Sequence, residues 1–246
     1  MAGQPETPST GTITNGPEVT LEMQTAEFVY KQLAKWRDDP CRPPGDSEKK
    51  FNPQLSKFLT AIAAKDFPMV QFSHEEPQKG RRTVDIGAGF TENTEISAGT
   101  FQTIYEPFMV FECKLLPTPG KKREREYLSG GEEKPGGIQR FKLGLHGGAH
   151  ATAAIIAYIQ EGDAKTWIST INKWIRELAD EGASGNEEAW SYEEQLSNFL
   201  PDPESNTASA RSTHTRTALK PILLRHLWVV MRPQKTDQPD KLAAAR

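Results

Sequence analysis

Glu112-Cys113-Lys114 closes the apolar run Phe108-Met109-Val110-Phe111. Side chains on a strand alternate between its two faces, so this spacing sends Glu112 and Lys114 to one side and Cys113 to the other. An acid and an amine placed together at the end of a buried strand are costly to desolvate, which points to a site. A second acid, Asp85, ends another apolar segment, Thr83-Val84-Asp85-Ile86. Two carboxylates supply the hard oxygen ligands that a divalent cation prefers, and a lysine beside them can position or activate a water. The chemistry such a set would serve is hydrolysis of a phosphodiester.

The pattern acid-x-lysine also occurs at 48–50, 132–134 and 163–165, in a chain of which 26% is charged, so context has to decide. Glu48 and Lys50 fall in a stretch of Pro, Gly, Ser and charge that reads as a loop. Glu132 and Lys134 fall in the glycine-rich stretch 129–137, and Asp163 and Lys165 open a helix. The copy at 112–114 alone ends a strand-like run and follows a second strand that carries an acid. Its competing reading is a structural ion pair at a strand end.

The elements that must carry these residues follow from periodicity. Ala26, Val29, Leu33 and Trp36 repeat at helical spacing within about Val19 to Arg37. Asn52-Pro53 reads as a helix start, Asn as the cap and Pro at the first helical position, ahead of Leu55, Phe58, Leu59 and Ile62. Strands are expected at about Met69 to His74 and Arg82 to Ala88, forming a hairpin, then at about Pro107 to Leu115 after a polar loop 91–103. A helix of about Ile138 to Leu145 precedes a buried strand, Ala153 to Ile159. Asp163 caps a strong helix with Trp167, Ile168, Ile171, Trp174, Ile175 and Leu178 on one face. A smaller helix near Tyr192 to Phe199, a polar loop to Leu219 and a final strand Ile222 to Met231 complete the reading.

Composition sets wide bounds. The 246 residues, 36% hydrophobic with 11 Phe and 5 Trp, suffice for one large core, expected over 18–232 with its central part at about 52–160. Residues 1–17 read as a disordered tail and 233–246 as a flexible one, with the vector-like end Lys241-Leu242-Ala243-Ala244-Ala245 set aside. No run is long enough to span a membrane, and the first residues lack the apolar core of a secretory signal. Two cysteines, Cys41 and Cys113, make neither a disulfide framework nor a zinc site, and the cytoplasm is the expected compartment. Net charge is −3, which does not advertise nucleic-acid binding. The basic residues are nevertheless clustered, at Arg81-Arg82, at 121–125, at Arg140 and Lys142, and from Arg211 to Arg225. Arg82, Lys121, Lys122, Arg140 and Lys142 are the candidates to meet phosphates.

From 52 to 159 the order is helix, three strands, helix, strand, with Asp85 on the second strand and Glu112 and Lys114 on the third. This resembles the PD-(D/E)XK, or restriction endonuclease-like, nuclease superfamily in both motif and element order. Val84 stands where a proline often precedes the aspartate. The resemblance implies an α/β fold with an αβββαβ core, a mixed central sheet, an extra N-terminal helix, and C-terminal helices plus a strand. It implies an endonuclease in which Asp85 and Glu112 hold Mg²⁺, with Mn²⁺ as a substitute, and Lys114 serves the attacking water. Gln139 or Arg140, in the helix after the third strand, resembles an auxiliary catalytic residue, the other reading being a helix-surface side chain. Glu76, with Glu75 at the end of the first strand, is a further candidate metal contact. DNA is the superfamily's usual substrate and RNA an open one; a prokaryotic restriction or anti-phage setting is expected by analogy, with a homodimer or an accessory defence protein as partner. The alternative is a silent nucleic-acid-binding module of the same fold. His146 and His150 read as loop histidines, and His226 as a hydrogen-bonded one in the last strand.

Overall fold

The computed structural model describes residues 20–78, 80–97, 99–120, 123–130, 135–182 and 189–232. The tails expected at 1–17 and 233–246, and Lys121 and Lys122, lie outside the described residues. In chain order the elements are α1 (Leu21–Arg37), α2 (Glu48–Asp66), β1 (Val70–Gln78), β2 (Arg82–Phe90), β3 (Thr94–Ser97), β4 (Thr100–Gln102), β5 (Met109–Leu116), α3 (Gly137–Lys142), β6 (Thr152–Ile159), α4 (Ala164–Glu181), β7 (Ser197–Asp202), β8 (Thr207–Arg216) and β9 (Leu219–Val230). No described helix is long and apolar enough to cross a membrane.

One mixed seven-stranded sheet runs in the order β1-β2-β5-β6-β9-β8-β7. β5, β6 and β9 are parallel, and antiparallel strands flank them on both sides. The three parallel strands read as near-continuous apolar runs because both faces are covered. On one face α1 and α2 pack over Phe111, Cys113 and Leu115 of β5 and Ile156 and Tyr158 of β6. On the other, α3 and α4 cover Val110, Leu116, Ile155, Ala157 and Trp228. Glu112 and Lys114 therefore lie on the α3 side of β5, in the middle of the sheet.

Four expectations are corrected. α2 begins a turn earlier than Asn52-Pro53, with Ser47 as the extended residue before it and the Phe51 N–H donating to the Ser47 carbonyl. Asn52 is not a cap, because its side-chain oxygen is committed to the buried Tyr158 hydroxyl, and Pro53 sits inside the helix at the loss of one backbone donor. The loop 91–103 contains the small hairpin β3–β4. The segment Tyr192 to Phe199 is only a 3₁₀ turn at Tyr192–Glu194 followed by strand β7. The "polar loop" to Leu219 contains the ten-residue strand β8. β8 escapes a hydrophobic reading because Ser212 and His214 are among its inward-facing side chains, held there by hydrogen bonds.

Candidate active site

The β2–β5 ladder ends at the pair Ile86–Phe111. Beyond it β2 departs, and the N–H groups of Cys113 and Leu115 on that edge of β5 lose their strand partner. Buried amides need acceptors, and two carboxylates supply them. Asp85 Oδ2 accepts from the Cys113 N–H at 2.6 Å, and Glu48 Oε1, from the first turn of α2, accepts from the Leu115 N–H at 2.9 Å. The separation of the strands thus brings two acids to the end of β5 where Glu112 and Lys114 project.

Glu112 is the hub. Its side chain is 1% exposed, and Lys114 Nζ lies 2.8 Å and Arg140 Nη1 2.5 Å from Oε1. His146 Nδ1 lies 2.9 Å from Oε2. Lys114, itself 4% exposed, lies 3.8 Å from Glu48 Oε2 as well.

α3 and the turn after it deliver Arg140 and His146. The N–H groups of Gly137, Ile138 and Gln139 donate to the carbonyls of Glu126, Tyr127 and Leu128, which plants the helix start on the preceding segment. A side chain at Gly136 would meet Ser129 backbone at 2.5 Å, so that approach requires glycine. After α3 the N–H groups of Leu145 and His146 both donate back to the Arg140 carbonyl, a reversal made at Gly144 with φ +63°. His146 is thereby folded in, 2% exposed.

The electrostatics follow from this geometry. Burial would raise the Glu112 carboxyl, but Lys114, His146 and Arg140 outweigh it and hold it well below the usual carboxylate range. Burial would lower the Lys114 amine, and Glu112, Glu48 and Asp85 instead hold it above its ordinary value. Asp85 is pushed up to about 7, by burial first and the charge of Glu112 second, with Lys114 opposing. Asp85 and Glu112 therefore repel each other across the site, the situation a divalent cation relieves. Among the described residues no group of three or more His, Cys, Asp or Glu side chains is gathered to hold a metal. Asp85 and Glu112 are hard oxygen donors of the kind such a cation prefers, although both Glu112 oxygens here face Lys114, Arg140 or His146.

The other expected residues are distributed as follows. Gln139 turns its side-chain oxygen to the N–H groups of Gly130 and Gly136, fixing the loop before α3, so Arg140 is the one that reaches Glu112. Lys142 is corrected from a phosphate-facing residue. Its ammonium is buried 2.5 and 2.7 Å from the oxygens of Glu194 and 4.8 Å from the Trp190 ring. Glu76 accepts from the Ser73 hydroxyl and forms no three-ligand group with Asp85 and Glu112. Arg82 is exposed.

Two residues of the cluster escape the sequence reading. Glu48 looks like a loop acid because the true cap, Ser47, makes no side-chain capping bond to the helix and Asn52-Pro53 is the stronger start signal. His146 looks like a loop histidine because its spacing to His150 is not helical. Its one available signal was the adjacent glycines, Gly144, Gly147 and Gly148, which permit the chain to fold back. Comparison with protein-family models, with curated proteins and with solved structures finds no match to this chain.

Proposed function

We propose that the chain is a metal-dependent nuclease of the PD-(D/E)XK type, hydrolysing DNA phosphodiester bonds at Asp85, Glu112 and Lys114. The observation that carries this reading is the joint placement of Asp85 and the Glu112-x-Lys114 pair where β2 parts from β5, with Lys114 Nζ 2.8 Å from Glu112. The order α2-β1-β2-β5-α3-β6, antiparallel then parallel about β5, supports it by agreeing with that superfamily's αβββαβ core. Asp85 and Glu112 would hold Mg²⁺ or Mn²⁺, which supplies a water of lowered pKa and polarises the phosphoryl oxygen. Lys114, charged at neutral pH, orients the attacking water or offsets growing negative charge rather than removing a proton. Arg140, one-quarter exposed beside the site, is placed to contact a non-bridging phosphate oxygen on leaving Glu112. Restriction or anti-phage defence is the setting suggested by analogy alone.

One observation favours a second reading, a silent nucleic-acid-binding module: both oxygens of Glu112 are already engaged by cationic side chains or His146. Supercoiled plasmid and labelled single- and double-stranded DNA and RNA, each with Mg²⁺, Mn²⁺ or EDTA, separate the two. Metal-dependent nicking that disappears in Asp85→Ala is the expected outcome. Retarded but uncut nucleic acid under every metal condition would establish the silent module instead.

A further inference from the structure

A cleft of about 1220 Å³ opens beside the turn that follows α3. Leu143, Gly144, Leu145, Gly148 and His150 line it, whereas Asp85, Glu112 and Lys114 do not. Arg216, at the end of β8, stands in its wall. The Arg216 Nε–H donates to the Lys220 carbonyl at 2.6 Å, and Nη1 and Nη2 donate to the carbonyls of Gly147 and His150 at 3.2 and 3.1 Å. Carbonyls orient a guanidinium without neutralising it. Burial lowers this group from its ordinary value, and among the described residues no acid forms an ion pair with it. Of the five N–H bonds a guanidinium offers, three are used, and the remaining pair suits an anion.

The cleft is tied to the acid pair through very little chain. Gly147 is held at both polar atoms, its carbonyl by Arg216 and its N–H by the Gln78 side chain at 3.0 Å. The residue before it, His146, rests on Glu112. That path places Arg216 on the order of 10–15 Å from Glu112, a span of about three or four nucleotides along a strand. Glu22 and Glu106 line the cleft too. They repel a polyanion, so a strand in this cleft finds its favourable charge at Arg216.

We propose that this cleft seats one backbone phosphate of the cleaved strand on Arg216, about three or four nucleotides from the scissile bond. The proposal rests on the nuclease reading of the acid pair. The test uses a short labelled DNA in which single phosphates, taken one position at a time, are replaced by an uncharged methylphosphonate, cut by the full chain in Mg²⁺. Wild type should lose about tenfold in kcat/KM when the replaced phosphate is the one seated on Arg216. Arg216→Gln, which keeps donors for the neighbouring carbonyls, should show no dip at that position, and its binding should depend less steeply on salt, by about one unit of slope. Removing the charge from the DNA requires no change in the protein, so misfolding of the variant cannot produce the wild-type profile. A wild type that cuts the DNA with a flat profile, or an Arg216→Gln variant with the wild-type dip intact, overturns the seat and leaves the acid pair standing. A wild type that neither binds nor cuts any of these DNAs overturns both readings together.

Discussion

Lys114→Ala should lower the turnover of DNA cleavage by roughly 10²–10³-fold while leaving the dissociation constant for DNA within a few-fold of wild type. The asymmetry comes from where the ammonium sits. It is 4% exposed at the end of β5, 2.8 Å from one carboxylate and 3.8 Å from another, so it presents no surface for a polyanion to find at a distance. Its effect is confined to charge that develops beside Glu112 and Asp85. The variant should fold, because Glu112 retains Arg140 and His146 at 2.5 and 2.9 Å and is not left as an unpaired buried charge. Lys114→Arg should recover little, since a planar guanidinium cannot occupy the space of a compact ammonium enclosed by three acids. Single-turnover rates, equilibrium DNA binding and thermal melting measured on the same preparations check the claim. A Lys114→Ala protein that melts near wild type and cuts at the wild-type rate removes Lys114 from the reaction.

The parts of this site that are legible in the sequence are those with a local signal. Asp85, Glu112 and Lys114 each interrupt an apolar run, and a charge inside such a run is conspicuous whatever the fold. β2, β5 and β6 are legible for the same reason, since each is strongly apolar on at least one face, and β1 opens on the alternating apolar pair Val70 and Phe72. Glu48 is different. It matters because β2 leaves β5 at residue 85 and exposes the Leu115 N–H, a pairing decision made by tertiary structure and invisible in either segment alone. His146 likewise depends on a reversal at Gly144 that brings it back onto a residue far away in sequence. β8 fails for a third reason. Hydrophobic periodicity assumes that inward means apolar, and in β8 part of the inward face is a set of hydrogen-bonded Ser and His side chains.

That inward polar set supports the other large effect: Glu194→Ala should destabilise the fold by about 3–5 kcal/mol. The buried groups form a directional chain. Trp228 Nε1–H donates to the Tyr127 hydroxyl at 3.0 Å, which frees that hydroxyl to donate to His226 Nδ1 at 2.6 Å. His226 must then carry its proton on Nε2 and donate to Ser212 Oγ at 2.8 Å, and Ser212 donates to His214 Nε2 at 2.7 Å. His214 is left with an Nδ1–H 3.6 Å from Glu194 Oε2, and Glu194 closes the chain against the Lys142 ammonium. Burial lowers both imidazoles, His226 strongly, so each is neutral at pH 7, as the chain requires. Removing the Glu194 carboxylate strands the Lys142 ammonium, which is 3% exposed, on the helix that carries Arg140. The pH dependence has a definite sign. Burial would raise Glu194, but His214 and Lys142 outweigh it and depress it from 4.5 to about 2. A depressed acid contributes stability that is complete above its unfolded value and is lost as pH falls from about 4.5 toward 2, amounting to about 2 kcal/mol. Chemical denaturation across that window should show the loss in wild type and its absence in a Glu194→Leu, Lys142→Met pair, which removes both charges and retains volume. Equal acid sensitivity in the two proteins would mean that Glu194 is not the group through which acid loosens the α3 side of the sheet.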